Sequence, residues 1–478
     1  MRCYCMMLLM LAFATGVRSQ ETGVRSQESG DGSQESGVGS QETAKVNQLS
    51  VGLDFMTHGE ACGGGMPKTD AKDIEVEDKS RFLLGRTRLI ADYQRRGLQV
   101  HAIIQNKAVW GASGNQALNL YEGWAKITAK NGLFGQLGRV ALSYDDERII
   151  GPNDFAVASK THDVARLGYE GHGHKAHVIL AYNQNSGNVY NGTYYVDGAQ
   201  PYKTMQTVWY HYDVPKFPLG VSLLFMNMGL QAGTNNTKEW DYKTNSARTV
   251  YQQMYGGYVN YHSDLLKVEG SYYRQAGKTV SKKTDAAKID AWMASVKATV
   301  SPTDKYGFTV GYDYLSGDDY VPDLYGGMFG MPLHDVIRGF TPLYGSNKKF
   351  YGIMDYFYES AYTHGFTPGL QNVFIGPYYK SKIVKKSKGK TYGEFACRAM
   401  YHYMAVATQV GKLDKTLGHC IDFQASYQFT KDIALSAGYT QMMGTETMER
   451  LKQDDSSLQA RWGWFSLVIS PSLFTTKW

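Results

Sequence analysis

Two short clusters in this sequence carry residue types that chemistry needs. Asp145-Asp146-Glu147-Arg148 sets three carboxylates beside a guanidinium, a group able to hold a divalent cation or to form a solvated rim. Gly171-His172-Gly173-His174, followed by His177, offers imidazoles at a turn. A built zinc site needs four ligands in tetrahedral array, and incidental metal affinity is the reading that spacing supports here. No Ser, His and acid stand at spacings that place them together as nucleophile, base and orienting group. Cys62, Cys397 and Cys420 remain once Cys3 and Cys5 fall in a leader. An odd, scattered set reads as unpaired thiols, with one exported disulfide as the alternative. No catalytic residue, metal or cofactor is expected.

A larger set of charges recurs with a period of two. In 80–93, Arg86, Arg88 and Asp92 oppose Leu83, Leu89, Ala91 and Tyr93. In 265–276, Lys267, Glu269, Ser271 and Gln275 oppose Leu266, Val268 and Tyr272. In 418–429, Asp422, Gln424, Ser426 and Gln428 oppose Ile421, Phe423, Ala425, Tyr427 and Phe429; 46–57 alternates in the same way. Alternation over about ten residues predicts membrane strands with one lipid face and one wet face.

The connections alternate too. Short turns are expected at 95–97, 131–135, 171–174, 215–220, 262–264, 302–304 and 430–432. Longer polar loops are expected at 58–79, 145–160, 185–203, 232–247 and 444–456. Short turns on one rim and long loops on the other mark a transmembrane antiparallel β-barrel rather than a β-sandwich. Tyr121, Trp124, Trp209, Tyr210, Trp462 and Trp464 are expected in the interfacial girdles. The count is about eighteen strands, an even number that returns the chain to the periplasm. FYGIMDYFY (350–358) would make the number odd and lacks clean alternation. It is assigned to one long extracellular loop over 316–369, free to fold inward as a lid or constriction.

Composition agrees. The 478 residues hold 52 Gly, 36 Tyr and 12 Pro, with net charge +6. That charge is mild, and with no basic stripe or RNA-reading motif it gives no reason to expect nucleic acid. Beyond the first residues no apolar run is long enough for a spanning helix. Residues 1–19 read as a signal peptide, with Arg2, an apolar run over 6–14 and small residues before Ser19. Residues 20–45 belong to a heptad repeat of Gly, Ser, Gln and Glu with no apolar seam, so a flexible linker is expected. The barrel then occupies 46–478. Asn191 and Asn235 match glycosylation acceptors, which in a bacterial chain are loop composition.

LGRVALSYDDERIIG (137–151), FTPLYGSNKKFYGIMDYF (340–357), LGHCIDFQASYQFTKDIALSAGYTQMMGTETME (417–449) and the closing strand to Trp478 resemble the alginate-export family of outer-membrane barrels, in its Bacteroidetes porin-like form. The resemblance implies an eighteen-stranded, monomeric barrel and diffusion or export of anionic carbohydrate. Val140 and Ala141 depart from the polar and acidic residues usual in the first motif, which weakens any substrate assignment.

A channel for anions needs cations along its inner wall. Alternation places Arg86, Arg88, Lys126, Arg139, Arg166, Lys267, Lys297, Arg398 and Arg461 in the lumen. It places Asp92, Glu122, Glu170, Glu269, Asp313, Glu394 and Asp422 there as well. The small positive excess predicts a pore with mild anion preference, although many of these charges are expected to pair across strands. The expected partners are outer-membrane lipid, the barrel-insertion machinery that reads a terminal aromatic, and small polar or anionic solutes. The competing readings are an outer-membrane enzyme and a surface-exposed binding protein with a plugged lumen.

Overall fold

The structure, a computed structural model, describes residues 47–64, 79–112, 117–157, 159–184, 202–232, 248–279, 287–318, 336–354, 357, 367–382, 393–452 and 459–478. The proposed leader and linker, the Asn191 and Asn235 motifs and much of the long loops lie outside these residues.

The strands run β1 Gln48–Gly63, β2 Lys79–Arg95, β3 Leu98–Val109, β4 Ala117–Thr128, β5 Leu133–Val140, β6 His162–Gly171 and β7 His174–Tyr182. Next come β8 Thr204–Asp213, β9 Leu219–Ala232, β10 Arg248–His262, β11 Leu266–Thr279, β12 Ala287–Ile289, β13 Ala291–Val300 and β14 Tyr306–Leu315. The last are β15 Val336–Ile337, β16 Leu370–Lys382, β17 Glu394–Ala405, β18 Thr416–Thr430, β19 Ile433–Gly444, β20 Arg461–Ile469 and β21 Ser472–Lys477. One short helix, α1 Glu446–Lys452, sits in the connection before β20.

Each barrel strand pairs antiparallel with the next, and β20 returns to pair with β1. β21 continues β20 past Ser470 and Pro471 along the start of β1, so the two act as one closing strand. β12 and β15 are a short parallel appendage outside the cycle. The result is a closed antiparallel barrel of 18 strands. Asn47 and Trp478 exchange backbone hydrogen bonds of 2.9 and 3.0 Å, which ties the two ends of the barrel together. Closure satisfies every strand edge inside the sheet, the condition for backbone at membrane depth.

Leu137, Leu167 and Leu223 are 67%, 61% and 60% exposed on the outside of the wall. A soluble domain would bury such residues; a belt of them around a closed barrel faces lipid. Tyr210, Tyr306, Tyr379, Phe429 and Trp478 are exposed near the short-turn rim, and Trp110, Tyr182, Tyr251 and Trp292 near the other. These form the girdles.

Five of the six aromatics assigned to the girdles from sequence point the other way. Tyr121, Trp209, Trp462 and Trp464 are buried inside, Trp124 stacks on the inward-facing His101, and of the six only Tyr210 faces out. The interior is a packed space that needs large side chains, and tryptophans near strand ends fill it.

The short turns lie where expected. Gly173, at φ +80, completes the two-residue turn between β6 and β7, where a residue with a Cβ would meet Asp213 carbonyl oxygen. The loop expected over 58–79 starts later, because β1 continues to Gly63. A longer connection, 383–393, joins β16 to β17 on the short-turn rim. Segment 350–354 is no wall strand; with 340–350 it lies within the barrel, where Phe350, Tyr351, Ile353 and Met354 are buried.

Candidate functional site

Two long-loop segments enter the lumen and meet there. The first, 141–161, follows β5; the second, 336–354, belongs to the connection between β14 and β16. Ile150 and Tyr344 form a parallel bridge, and Gly151 N–H donates to Tyr344 carbonyl oxygen at 2.9 Å. Ser346 Oγ donates to Glu147 Oε2 at 3.0 Å, and Lys349 Nζ lies 3.2 Å from the same oxygen. The buried side chains of Leu142, Ile149, Ile150, Tyr344 and Phe350 join the wall methionines Met205, Met226, Met228 and Met254 in one core. This apolar packing explains why both segments sit inside: neither could bury that surface at the rim.

Asp145-Asp146-Glu147-Arg148 is therefore a lumen element and not a solvated rim. Arg148 is its hub. Its Nη1 donates to Asp313 on β14 at 3.1 Å, its Nη2 to Ser295 on β13 at 3.0 Å, and its Nε to Asp146 at 3.2 Å. Its guanidinium also lies 4.2 Å above the Phe350 ring. Asp145 accepts from Trp209 Nε1 at 3.0 Å and Tyr273 Oη at 3.3 Å. Burial raises the Asp145 carboxyl above its ordinary 3.8, against the pull of its donors Ser222 and Trp209. Asp145 and Glu147 hold left-handed backbone, φ 54 and 67, a strained conformation that turns consecutive side chains toward different walls.

A second anchor joins the first loop to β2. Asp154 Oδ1 accepts from Arg88 at 2.8 Å and from Arg86 at 3.2 Å, and Ser159 Oγ donates to it at 3.1 Å. Burial alone would raise the Asp154 carboxyl; Arg86 and Arg88 outweigh it and hold it below its ordinary 3.8. A third anchor is Asp422 on β18, whose Oδ2 accepts from Ile353 N–H at 3.0 Å. Behind it a polar row crosses the wall. Asn372 Nδ2 donates to Asp313 at 2.9 Å, His402 Nδ1 lies 2.9 Å from Asn372 Oδ1, and His402 Nε2 lies 3.3 Å from Asp422.

Below the loops, toward the short-turn rim, lies a cavity of about 1140 Å³. Its wall mixes polar and apolar side chains, and most of its charges are paired. Glu269 binds Lys297 at 2.7 Å and Lys267 at 3.5 Å and accepts from Tyr258 Oη at 2.7 Å. Lys380 and Lys431 line the mouth with no acidic ion-pair partner among the described residues; Asp264 and Asp432 share the same mouth.

Most residues assigned to the lumen by alternation face inward. Lys126 lies over the inward Phe134 ring, and Arg166 donates to Tyr144 Oη at 3.1 Å. Glu170 meets His177 at 3.1 Å, and Glu122 accepts from Trp124 Nε1 at 3.2 Å. Asp92 bonds His101 across the strand pair. Arg398 donates to Gln424 on the inner face, and Glu394 shares the inward parity of Arg398.

Two assignments are corrected. Arg139 faces out, where it makes a bidentate pair with Asp163, both contacts 2.8 Å. Its strand, LFGQLGRV, has apolar residues at 133, 134, 137 and 140, so its parity is ambiguous until Phe134 and Gln136 are seen to be buried. Arg461 also faces out, since its neighbours Trp462 and Trp464 fill the lumen. Reading those tryptophans as girdle residues inverted the strand and placed Arg461 inside. Without these two, the predicted excess of wall cations disappears.

The sequence missed one constellation. Ser222 on β9, His211 on β8 and Asp213 on β8 are joined: His211 Nδ1 lies 2.8 Å from Ser222 Oγ, and Nε2 lies 2.8 Å from Asp213 Oδ1. Cross-strand register creates the contact, since His211 stands opposite Ser222. Ser222 is 1% exposed, and its backbone N–H belongs to a strand within the wall. A nucleophile needs an open approach and oxyanion donors beside it. As placed, the trio is a bonded part of the wall. Cys62, Cys397 and Cys420 are all free.

No family model matches the chain, and no curated protein matches it. Solved structures do. Pseudomonas aeruginosa OccK2 (OpdF) is similar at TM-score 0.53 and 11% identity, over 89% of this chain and 98% of that one. The same protein in complex with glucuronate gives TM-score 0.54 at 11% identity, over 89% and 98%. Acinetobacter baumannii OccAB1 gives TM-score 0.54 at 11% identity, over 89% and 97%. At such identity the likeness is one of fold: a closed barrel of the outer-membrane type.

Proposed function

We propose that this chain is a porin-like outer-membrane channel for passive movement of small polar and anionic solutes. The observation that carries the reading is the charge-lined vestibule of about 1140 Å³, open at the short-turn rim and ending on two inward loops tied to the wall by ion pairs. Such a constriction selects by width and by the fixed charges lining it. With the wall charges nearly balanced, and Lys380 and Lys431 at the mouth set beside Asp264 and Asp432, the anion preference is mild. Similarity to a barrel solved in complex with glucuronate supports small carboxylated sugars as a solute class. The motif resemblance to alginate-export barrels supports anionic carbohydrate more broadly.

The matching localisation is the outer membrane, with 1–19 removed as a signal peptide, 20–45 as a tether, insertion through the machinery that recognises the closing strand, and a monomeric barrel. Reconstitution into a planar bilayer tests the reading. Steady conductance with a reversal potential displaced toward anions is expected. A sealed bilayer would favour a plugged binding protein, and hydrolysis of lipid or peptide by the purified barrel would favour an enzyme.

A further inference from the structure

Two outward-facing arginines near the long-loop rim are neutralised. Arg139 pairs with Asp163 at 2.8 Å, and Arg274 pairs with Asp290 at 2.7 Å. Arg81 on β2 and Arg461 on β20 are exposed on the same outer face and have no acidic partner among the described residues; Arg461 Nη2 donates only to the neutral Gln459 Oε1, at 3.2 Å. The two strands flank β1 at the barrel's closing seam. Register sets Arg81 opposite Ala61, which stands opposite Gly463, and sets Arg461 opposite Gly63.

Two consequences follow. The arginines stand two strand spacings apart and two residues out of step along the strands, about 12 Å in all. Between them the outward positions are Ala61, Gly63 and Gly463, so the sheet there forms a shallow trough without side chains to fill it. Depth is fixed by Trp110, an exposed girdle residue whose indole nitrogen lies 2.9 Å from where a Cβ on Gly85 would stand. Arg81 is four residues nearer the long-loop rim than Gly85. On a strand tilted by roughly 40° that is about 10 Å above the tryptophan level, the depth of headgroups rather than acyl chains. Leu83 and Phe465 lie on the outer face two residues below Arg81, between the arginines and the tryptophan level.

We propose that this trough binds the phosphate groups of an outer-leaflet phosphorylated glycolipid, the lipid A portion of lipopolysaccharide, with Arg81 and Arg461 as its ligands. Guanidinium forks match phosphate oxygens in pairs, and uncompensated cations facing a headgroup layer call for an anion. The long-loop rim is the rim that faces the outer leaflet in a barrel of this type.

The test uses the mature barrel in detergent, incubated with bisphosphoryl lipid A or its dephosphorylated form, with bound lipid counted by native mass spectrometry. The wild type should retain the phosphorylated lipid roughly tenfold better than the dephosphorylated one. An Arg81→Gln/Arg461→Gln variant should lose that preference. An Arg139→Gln/Asp163→Asn variant, which removes a neutral outward pair, should keep it. Folding of each variant is checked by heat-modifiable migration, and channel conductance should be unchanged in all of them. Equal retention of the two lipids by the wild type, or an undiminished preference in the double-glutamine variant, overturns the proposal. Displacement of lipid A by millimolar inorganic phosphate overturns the lipid assignment in favour of a bare anion site.

Discussion

Arg88 Nη1 and Asp154 Oδ1 lie 2.8 Å apart although 66 residues separate them in the chain. Arg88 is part of the barrel wall and Asp154 part of an inward loop, so this contact joins the fixed part of the channel to the part that sets its bore. Arg86 supports the same carboxylate, which makes both arginines anchors before they are solute ligands.

Replacing the pair, Arg86→Gln with Arg88→Gln, should therefore widen the path more than it changes selectivity. Each lost charge-assisted bond weakens the anchor by about 1.5–3 kcal/mol. Single-channel conductance is expected to rise, with increased open-state noise. Asp154→Asn should give the same phenotype from the loop side. Unchanged conductance in both would show that the loop is held by apolar packing alone.

Arg148 is buried against Asp313, with side-chain exposures of 6% and 3%. Arg148→Gln leaves Asp313 and Asp146 without their cation. Breaking one side of a buried pair costs about 3–5 kcal/mol, so thermal stability should fall clearly. The bore also becomes more negative, and the reversal potential should move toward cations. The complementary charge removal, Asp313→Asn, should move it toward anions.

Acidification should act in two stages, of opposite sign in the two loop carboxylates. Asp145 has a raised pKa, so its neutral form is favoured in the folded protein and it takes up a proton at a pH above the ordinary 3.8. Mild acidification thus removes a negative charge from the bore, and the anion-to-cation permeability ratio should increase. Asp154 has a lowered pKa, so its contribution to loop anchoring is complete above 3.8 and is lost only as pH falls below that value. Conductance should rise there. Bilayer recordings over a pH series check both; Asp145→Asn should abolish the first stage and leave the second.

Ser222, His211 and Asp213 provide a discriminating test of the enzymatic alternative. With Ser222 enclosed in the wall, a fluorophosphonate probe should not label the purified barrel, and Ser222→Ala should alter neither lipid nor peptide turnover. Labelling that disappears in Ser222→Ala would make the trio a working nucleophile.

What the sequence determined by itself was the wall. A side-chain period of two is a local property, so β2, β11 and β18 showed their two faces directly, and the turn residues at 171–174 and 430–432 bounded them. The odd-strand argument likewise kept 350–358 out of the wall, and the buried Tyr351 and Ile353 bear this out for the described residues 350–354. Tertiary structure decided what the interior contains. Whether Trp462 faces lipid or lumen depends on whether the barrel holds something for it to pack against. It does: Lys348 of the inward loop lies 4.2 Å from the ring, and Glu60 accepts its indole N–H at 2.7 Å. The destination of Asp145-Asp146-Glu147-Arg148 depends in the same way on contacts with residues more than a hundred positions distant, such as Asp313. Alternation reports which side of a strand is wet, but only packing between distant segments decides where the wet side is closed.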